Sequence, residues 1–271
     1  MKLTPRYDGE PIIDLAPREM TDLVATQRRR FAQTLATLDE AQWAAPSRCA
    51  EWSAQGVVSH LVEVNQFWTY SIRSALAGTP STLLMNFDPV VNPARSVARM
   101  GELSPAEVLA RFVETNADLA SAMADVTDWA VLAESPPGHV CASTAMHHAL
   151  WDSWTHERDV LVPLGITPVL DDGELAACLR YAATLAPAFA LMLDPDRSGA
   201  FGLATTDPAV RIDVVVDNVV SVREGERAPT LTGSTLDVLE MLSIRAPLTV
   251  QVPAGERWMF TGLATVFDEP R

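Results

Sequence analysis

Up to residue 166 the apolar residues of this chain recur at helical spacing; beyond it they gather into short β-branched runs. That change of period limits the architecture more than any single motif. A stripe repeating every 3.6 residues and a face repeating every two must be buried against different partners. In the first part, Leu23, Phe31, Leu35 and Leu38 mark a helix over 18–38. Val57, Leu61, Val64, Trp68 and Ile72 mark a second that starts after an N-cap at Ser53 and runs to residue 77. A third begins at Ser104-Pro105-Ala106-Glu107, a capping box with proline at the first helical position, and reaches residue 124. The fourth covers 143–162 and stops at Pro163 and Gly165. Residues 78–95 read as a long irregular stretch over a pocket, and 134–139 as a break.

Four helices with long connections predict a four-helix bundle over 1–166. A further helix over 172–192, strands over 211–217 and 219–223, a short helix over 236–242 after Gly233-Ser234 and a strand over 248–252 predict a small α+β domain over 167–271. The expected fold class is mainly α with an α+β C-terminal part.

With 48% hydrophobic and 20% charged residues, the chain has enough apolar side chains to fold without disulfides or a structural metal. A metal site here is therefore expected to be functional. The formal charge of −15 repels phosphate backbones and anionic lipid, so neither nucleic acid nor membrane is an expected partner. Arg28-Arg29-Arg30, the densest basic run, reads as a solvated helix face. Cys49, Cys141 and Cys178 are odd in number and widely spaced, which argues against a disulfide scaffold; Cys49 and Cys141 read as small buried hydrophobes. The polar N-terminus shows no signal peptide, and no run approaches the ~20 apolar residues of a membrane span, so the expected location is cytoplasmic.

The chemistry concentrates in 147–159, where His147, His148, Asp152, His156 and Asp159 fall on one predicted helix. Residues four apart on a helix are offset by about 40° and about 6 Å, close enough to share an ion. Asp152 pairs in this way with either His148 or His156; those two histidines, about 12 Å apart along the axis, do not easily share one. Asp152 is thus common to both pairs. A third ligand must come from another helix, and His60 is the candidate. Two histidines and a carboxylate leave an open position, the mark of a catalytic site, and suit zinc, nickel, iron or manganese. Asp159 would orient an imidazole from behind. Trp151 and Trp154 read as core or pocket wall.

The segment Cys49-Ala-Glu-Trp52-Ser-Ala-Gln-Gly-Val-Val-Ser-His60-Leu resembles the entry to the second helix of DinB-like metal-binding proteins, and more closely the mycothiol-dependent maleylpyruvate isomerase group. Asp152-Ser-Trp-Thr-His156-Glu-Arg-Asp159 resembles that group's E-x-x-x-H-x-x-D motif, and Leu231 to Arg245 resembles its small C-terminal domain. The resemblance implies a divalent metal, zinc above all, on His60, Asp152 and His156. It implies a low-molecular-weight thiol, mycothiol in that group, at the open position, and a small-molecule electrophile as substrate. It also implies that Arg245 contacts a substrate carboxylate. Asp152 departs from the group's glutamate or histidine and is a methylene shorter than glutamate. The expected activity is a thiol-dependent isomerase or S-transferase. A thiol-independent metal-dependent hydrolase or lyase, and a non-catalytic metal-binding protein, are the alternatives. A homodimer through bundle faces is left open.

Overall fold

The computed structural model describes residues 2–267. Helix α1 covers Thr21–Leu35, α3 Ala54–Leu76, α5 Pro105–Ala124 and α6 Ala142–Leu161. These are the four helices the apolar spacing predicts. They close a ring, with α1 and α3 each packed on both α5 and α6. The caps act as their residue types dictate. Ser53 accepts from the Gly56 N–H, and Ser104 and Glu107 form the reciprocal capping box.

The connections hold more structure than their composition suggests. A short helix, α2 (Glu40–Ala44), carries a capping box between Asp39 and Gln42. Beginning within the stretch read as irregular, Val91–Arg99 forms helix α4, which packs on α3 so closely that a Cβ on Gly56 would stand 3.3 Å from Val97 Cγ1. The supposed break at 134–139 is the tip of a hairpin, β2 (Leu132–Ser135) on β3 (Gly138–Cys141). Glycine is required there: at φ +147°, a Cβ on Gly138 would stand 2.4 Å from the Arg6 carbonyl.

In the second part, α7 spans Asp172–Leu193. Strands β1 (Ile13–Asp14), β4 (Ser198–Thr206), β5 (Val210–Asp217), β6 (Val219–Glu224) and β7 (Pro229–Ser234) form one sheet in the order β1-β6-β5-β4-β7. The inner pairings are antiparallel, and β1 and β7 join the edges in parallel. Helices α8 (Thr235–Leu242) and α9 (Trp258–Val266) pack on α7. The small-residue sequence of β4 hides it from a β-propensity reading; it is held by its neighbours on both sides. The strand expected over 248–252 does not form. Pro247 and Pro253 bracket it, and it finds no partner strand among the described residues.

Helix α7 also corrects the expectation about apolar runs. By length and composition it is apolar enough to cross a membrane, yet 83% of its most apolar window is buried inside the fold. One apolar cluster runs through both parts, from Trp68 and Leu150 through Leu179 to Phe201, Val214 and Leu239. A second, around Phe31, Trp43, Leu61, Phe112 and Val160, fills the other end of the bundle.

Candidate metal centre

Helix α6 lies in the middle of this packing, and nearly all its side chains are buried. The little surface it keeps lies mainly on one stripe: His148, Trp151, Asp152, Thr155 and His156, at spacings of three and four. Across that stripe stands His60 of α3, its ring 5.1 Å from that of His156 and nearly perpendicular to it. Ligand atoms of His60, Asp152 and His156 all lie within 4.8 Å of one another. His156 Nε2 is 3.5 Å from Asp152 Oδ1. Trp52, just before the Ser53 cap, lies beside the His60 ring, their centroids 5.1 Å apart.

The donor set fits a divalent cation. Asp152 Oδ2 is buried and has no hydrogen-bond partner among the described residues, an arrangement that costs free energy unless something positive completes it. Burial pushes the Asp152 carboxyl up, while the charges of His156, Arg28 and Arg245 pull the other way. Burial, and then the nearby His156 charge, push His60 well down, so its ring is neutral and offers a lone pair. For His156, burial is outweighed by the Asp152 charge and the hydrogen bonds to Asp159 and Cys49, which raise it to about 10. A pocket that holds a proton so firmly is one that favours positive charge.

Behind His156 lies a charged layer. Asp159, wholly buried, accepts from His156 Nδ1 at 3.0 Å. It also accepts from Arg245 through Nε and Nη2, both at 2.8 Å, and Arg48 Nε stands 3.3 Å away. Burial alone would raise the Asp159 carboxyl, but the bonds from His156 and Arg245 hold it far below the usual carboxylate range. With Nδ1 held by Asp159, Nε2 is the nitrogen that faces Asp152 and His60, and it offers a lone pair once a cation displaces its proton. Glu240 ties Arg48 and Arg158 together in the same layer.

Arg245 owes its position to the end of α8. Its N–H bonds to the Glu240 carbonyl and that of Ile244 to the Met241 carbonyl, the two bonds of a Schellman motif. Ile244 takes the left-handed position of that motif with φ +53°, where glycine is usual. On one side of it Ser243 accepts from Trp151 Nε1 at 2.8 Å; on the other, Arg245 grips Asp159.

The structure thus brings together His60, Asp152, His156, Asp159 and Arg245. It turns the guanidinium of Arg245 toward Asp159, leaving Nη1 to its own loop carbonyl at Ser243, 3.4 Å away. His148 stays out of the donor cluster: its Nδ1 meets the Tyr181 hydroxyl at 2.5 Å and Ser135 Oγ at 3.3 Å. Two sequence expectations are corrected. Cys49 is not simply an apolar filler; its Sγ lies 3.3 Å from Asp159 Oδ2 and 3.8 Å from both His156 Nδ1 and Arg245 Nη2. Arg28-Arg29-Arg30 is not one solvated face, since only Arg29 is exposed. Arg28 is sealed in the bundle, donating to Asn65 Oδ1 and the Ala149 carbonyl, and Arg30 bridges Glu157 and Glu174. Arg48 and Glu240 were missed; only the adjacency of Arg48 to Cys49 hinted at the former.

Residues 24–161, from α1 to the end of α6, match the family model described as the mycothiol maleylpyruvate isomerase N-terminal domain. The chain belongs to that family. All three candidate ligands lie within the family's matched segment, whereas Arg245 lies outside it. Two solved structures share the fold, a mycothiol-dependent maleylpyruvate isomerase and a histidine-to-alanine variant of it. Each is 16% identical with TM-score 0.59, covering 87% of this chain and 94% of the other, so the likeness extends through the C-terminal part as well. A search of curated proteins finds no match.

Proposed function

We propose that this chain is a metal- and thiol-dependent isomerase or S-transferase acting on a small electrophile. In this reading His60, Asp152 and His156 hold a divalent ion, zinc by preference, and the thiol is mycothiol, as in the family name. One observation carries the reading: two imidazoles and a carboxylate with one buried, unpartnered oxygen converge on one point in a member of this family. Bound there, the ion would supply Lewis acidity that lowers a coordinated thiol's pKa, and the thiol a nucleophile that adds reversibly to a conjugated double bond. The protein's own groups supply the rest. Asp159 holds the Nδ1 proton of His156 and so fixes which nitrogen faces the ion. Arg245 brings a permanent positive charge beside the site, suited to a carboxylate-bearing substrate. Trp52 packs beside the His60 ring and restricts its orientation.

Elemental analysis of the protein as purified, beside His60→Ala and Asp152→Ala, tests the metal site. About one divalent ion per chain, lost in both variants, is expected; an ion-free protein that takes none up on titration overturns it. Cobalt-substituted protein mixed with mycothiol tests the thiol. A changed visible spectrum is expected. An unchanged spectrum together with thiol-independent turnover would assign the site to metal-dependent chemistry without a thiol.

A further inference from the structure

His148 is a buried histidine that the ligand set leaves unused. It lies one helical turn before Asp152 on the same stripe of α6, about 6 Å further along the axis. Its ring is walled by Trp68 at 4.8 Å, Tyr181 at 5.1 Å and Trp151 at 5.5 Å. Both of its hydrogen-bond contacts, Tyr181 Oη and Ser135 Oγ, are to Nδ1. Nε2 has no hydrogen-bond partner among the described residues, yet it is not one of the sealed-off polar atoms and retains accessible surface. The residue as a whole is 7% exposed, and it shares its stripe with Trp151 at 8% and His156 at 8%. These remnants open to one side of an otherwise sealed helix, the side that carries the candidate ligands.

The hydroxyls on Nδ1 decide what Nε2 presents. A phenol is the stronger acid and an imidazole nitrogen the stronger base, so the Tyr181 O–H donates to Nδ1. The ring proton then lies on Nε2. Burial keeps Tyr181 protonated and His148 neutral.

We propose that His148 is a substrate-recognition residue, a neutral imidazole whose Nε2–H donates to a carbonyl or carboxylate oxygen of the electrophile, with Tyr181 and Ser135 fixing its tautomer. It rests on the reading of the site given above and adds the substrate's second point of attachment. One end lies over Asp152 and His156, and an oxygen reaches His148 a turn away. A buried N–H donor of this kind discriminates strongly against substrates lacking the acceptor, because the donor is otherwise left unpaired. The feature this residue selects is therefore a hydrogen-bond-accepting oxygen at the far end of the electrophile.

The test uses the full zinc-loaded chain. Nitrogen-15 histidine spectra at neutral pH should show His148 as the Nε2–H tautomer, and Tyr181→Phe should mix the tautomers. A wild-type Nδ1–H tautomer overturns the proposal. With maleylpyruvate and mycothiol as probes, His148→Phe should lower kcat/KM by roughly tenfold or more at unchanged zinc content. His148→Gln, which keeps an N–H, should recover part of that loss. Equal activity of the Phe variant and wild type overturns the proposal. If wild type does not turn over maleylpyruvate, the proposed activity fails separately and pyruvate decides for His148. A saturable shift of its Nε2–H signal supports the role, and no shift overturns it.

Discussion

His156 Nδ1 lies 3.0 Å from Asp159 Oδ2, and the same carboxylate is gripped by two nitrogens of Arg245. One buried aspartate thereby fixes both the tautomer of a candidate ligand and the direction of the arginine beside it. Asp159→Asn is expected to lower zinc affinity by about ten- to hundredfold. It should also destabilise the fold by about 3–5 kcal/mol, since Arg245 and Arg48 lose their shared counter-charge. Competition with a chromophoric chelator, on protein shown by circular dichroism to be folded, measures the first; unchanged affinity contradicts the tautomer role.

His147 and His148 are both buried, and burial pushes each down to about 3. The unfolded chain binds these protons near pH 6.5, so stability is fully present above that value. It is lost as pH falls from about 6.5 toward 3, the two groups together contributing about 2.7 kcal/mol per pH unit within that window. Urea midpoints at pH 7.5 and 5.0 should therefore differ markedly, and less so for His147→Gln. A pH dependence no smaller in His147→Gln than in wild type would show that this imidazole is not held neutral.

Arg28 and Arg29 are neighbours in sequence with opposite environments, one sealed and the other exposed. Arg28→Ala removes the donor to Asn65 Oδ1 and to the Ala149 carbonyl and empties a buried volume. A loss of about 2–4 kcal/mol is expected. Arg29→Ala should stay within about 0.5 kcal/mol of wild type. Chemical denaturation of both compares them directly; equal effects would contradict the burial of Arg28.

Ile244 occupies a left-handed position at φ +53°. Glycine in ordinary backbone is less stable than alanine by about 0.5–1 kcal/mol, but a left-handed position reverses that order. Ile244→Gly should accordingly be at least as stable as Ile244→Ala. A urea midpoint clearly lower for the glycine variant would argue against the left-handed cap that aims Arg245.

Local sequence determined much of this protein. The 3.6-residue apolar repeat set the four long helices, and Ser53 and Ser104 set two of their starts, because capping involves only atoms within one turn. The four-residue spacing of Asp152 and His156 put two candidate ligands on one face for the same reason. His60 entered as the candidate ligand from another helix, and resemblance supported it and added Arg245; no spacing links either to that pair. Strand β4, built on the pairing of β5 and β7 rather than on its own residues, was invisible, and the apparent strand at 248–252 lacked the partner that would have made it one.

What tertiary structure alone decided is environment. The choice between His148 and His156 beside Asp152 was settled by what each ring meets: Tyr181 from α7 for one, His60 from α3 and Asp159 for the other. Cys49, Arg28 and Arg48 acquired their surroundings from chain segments far away in sequence. Burial and charge at a point depend on everything packed around it, and those groups come from elements whose mutual placement no local spacing encodes.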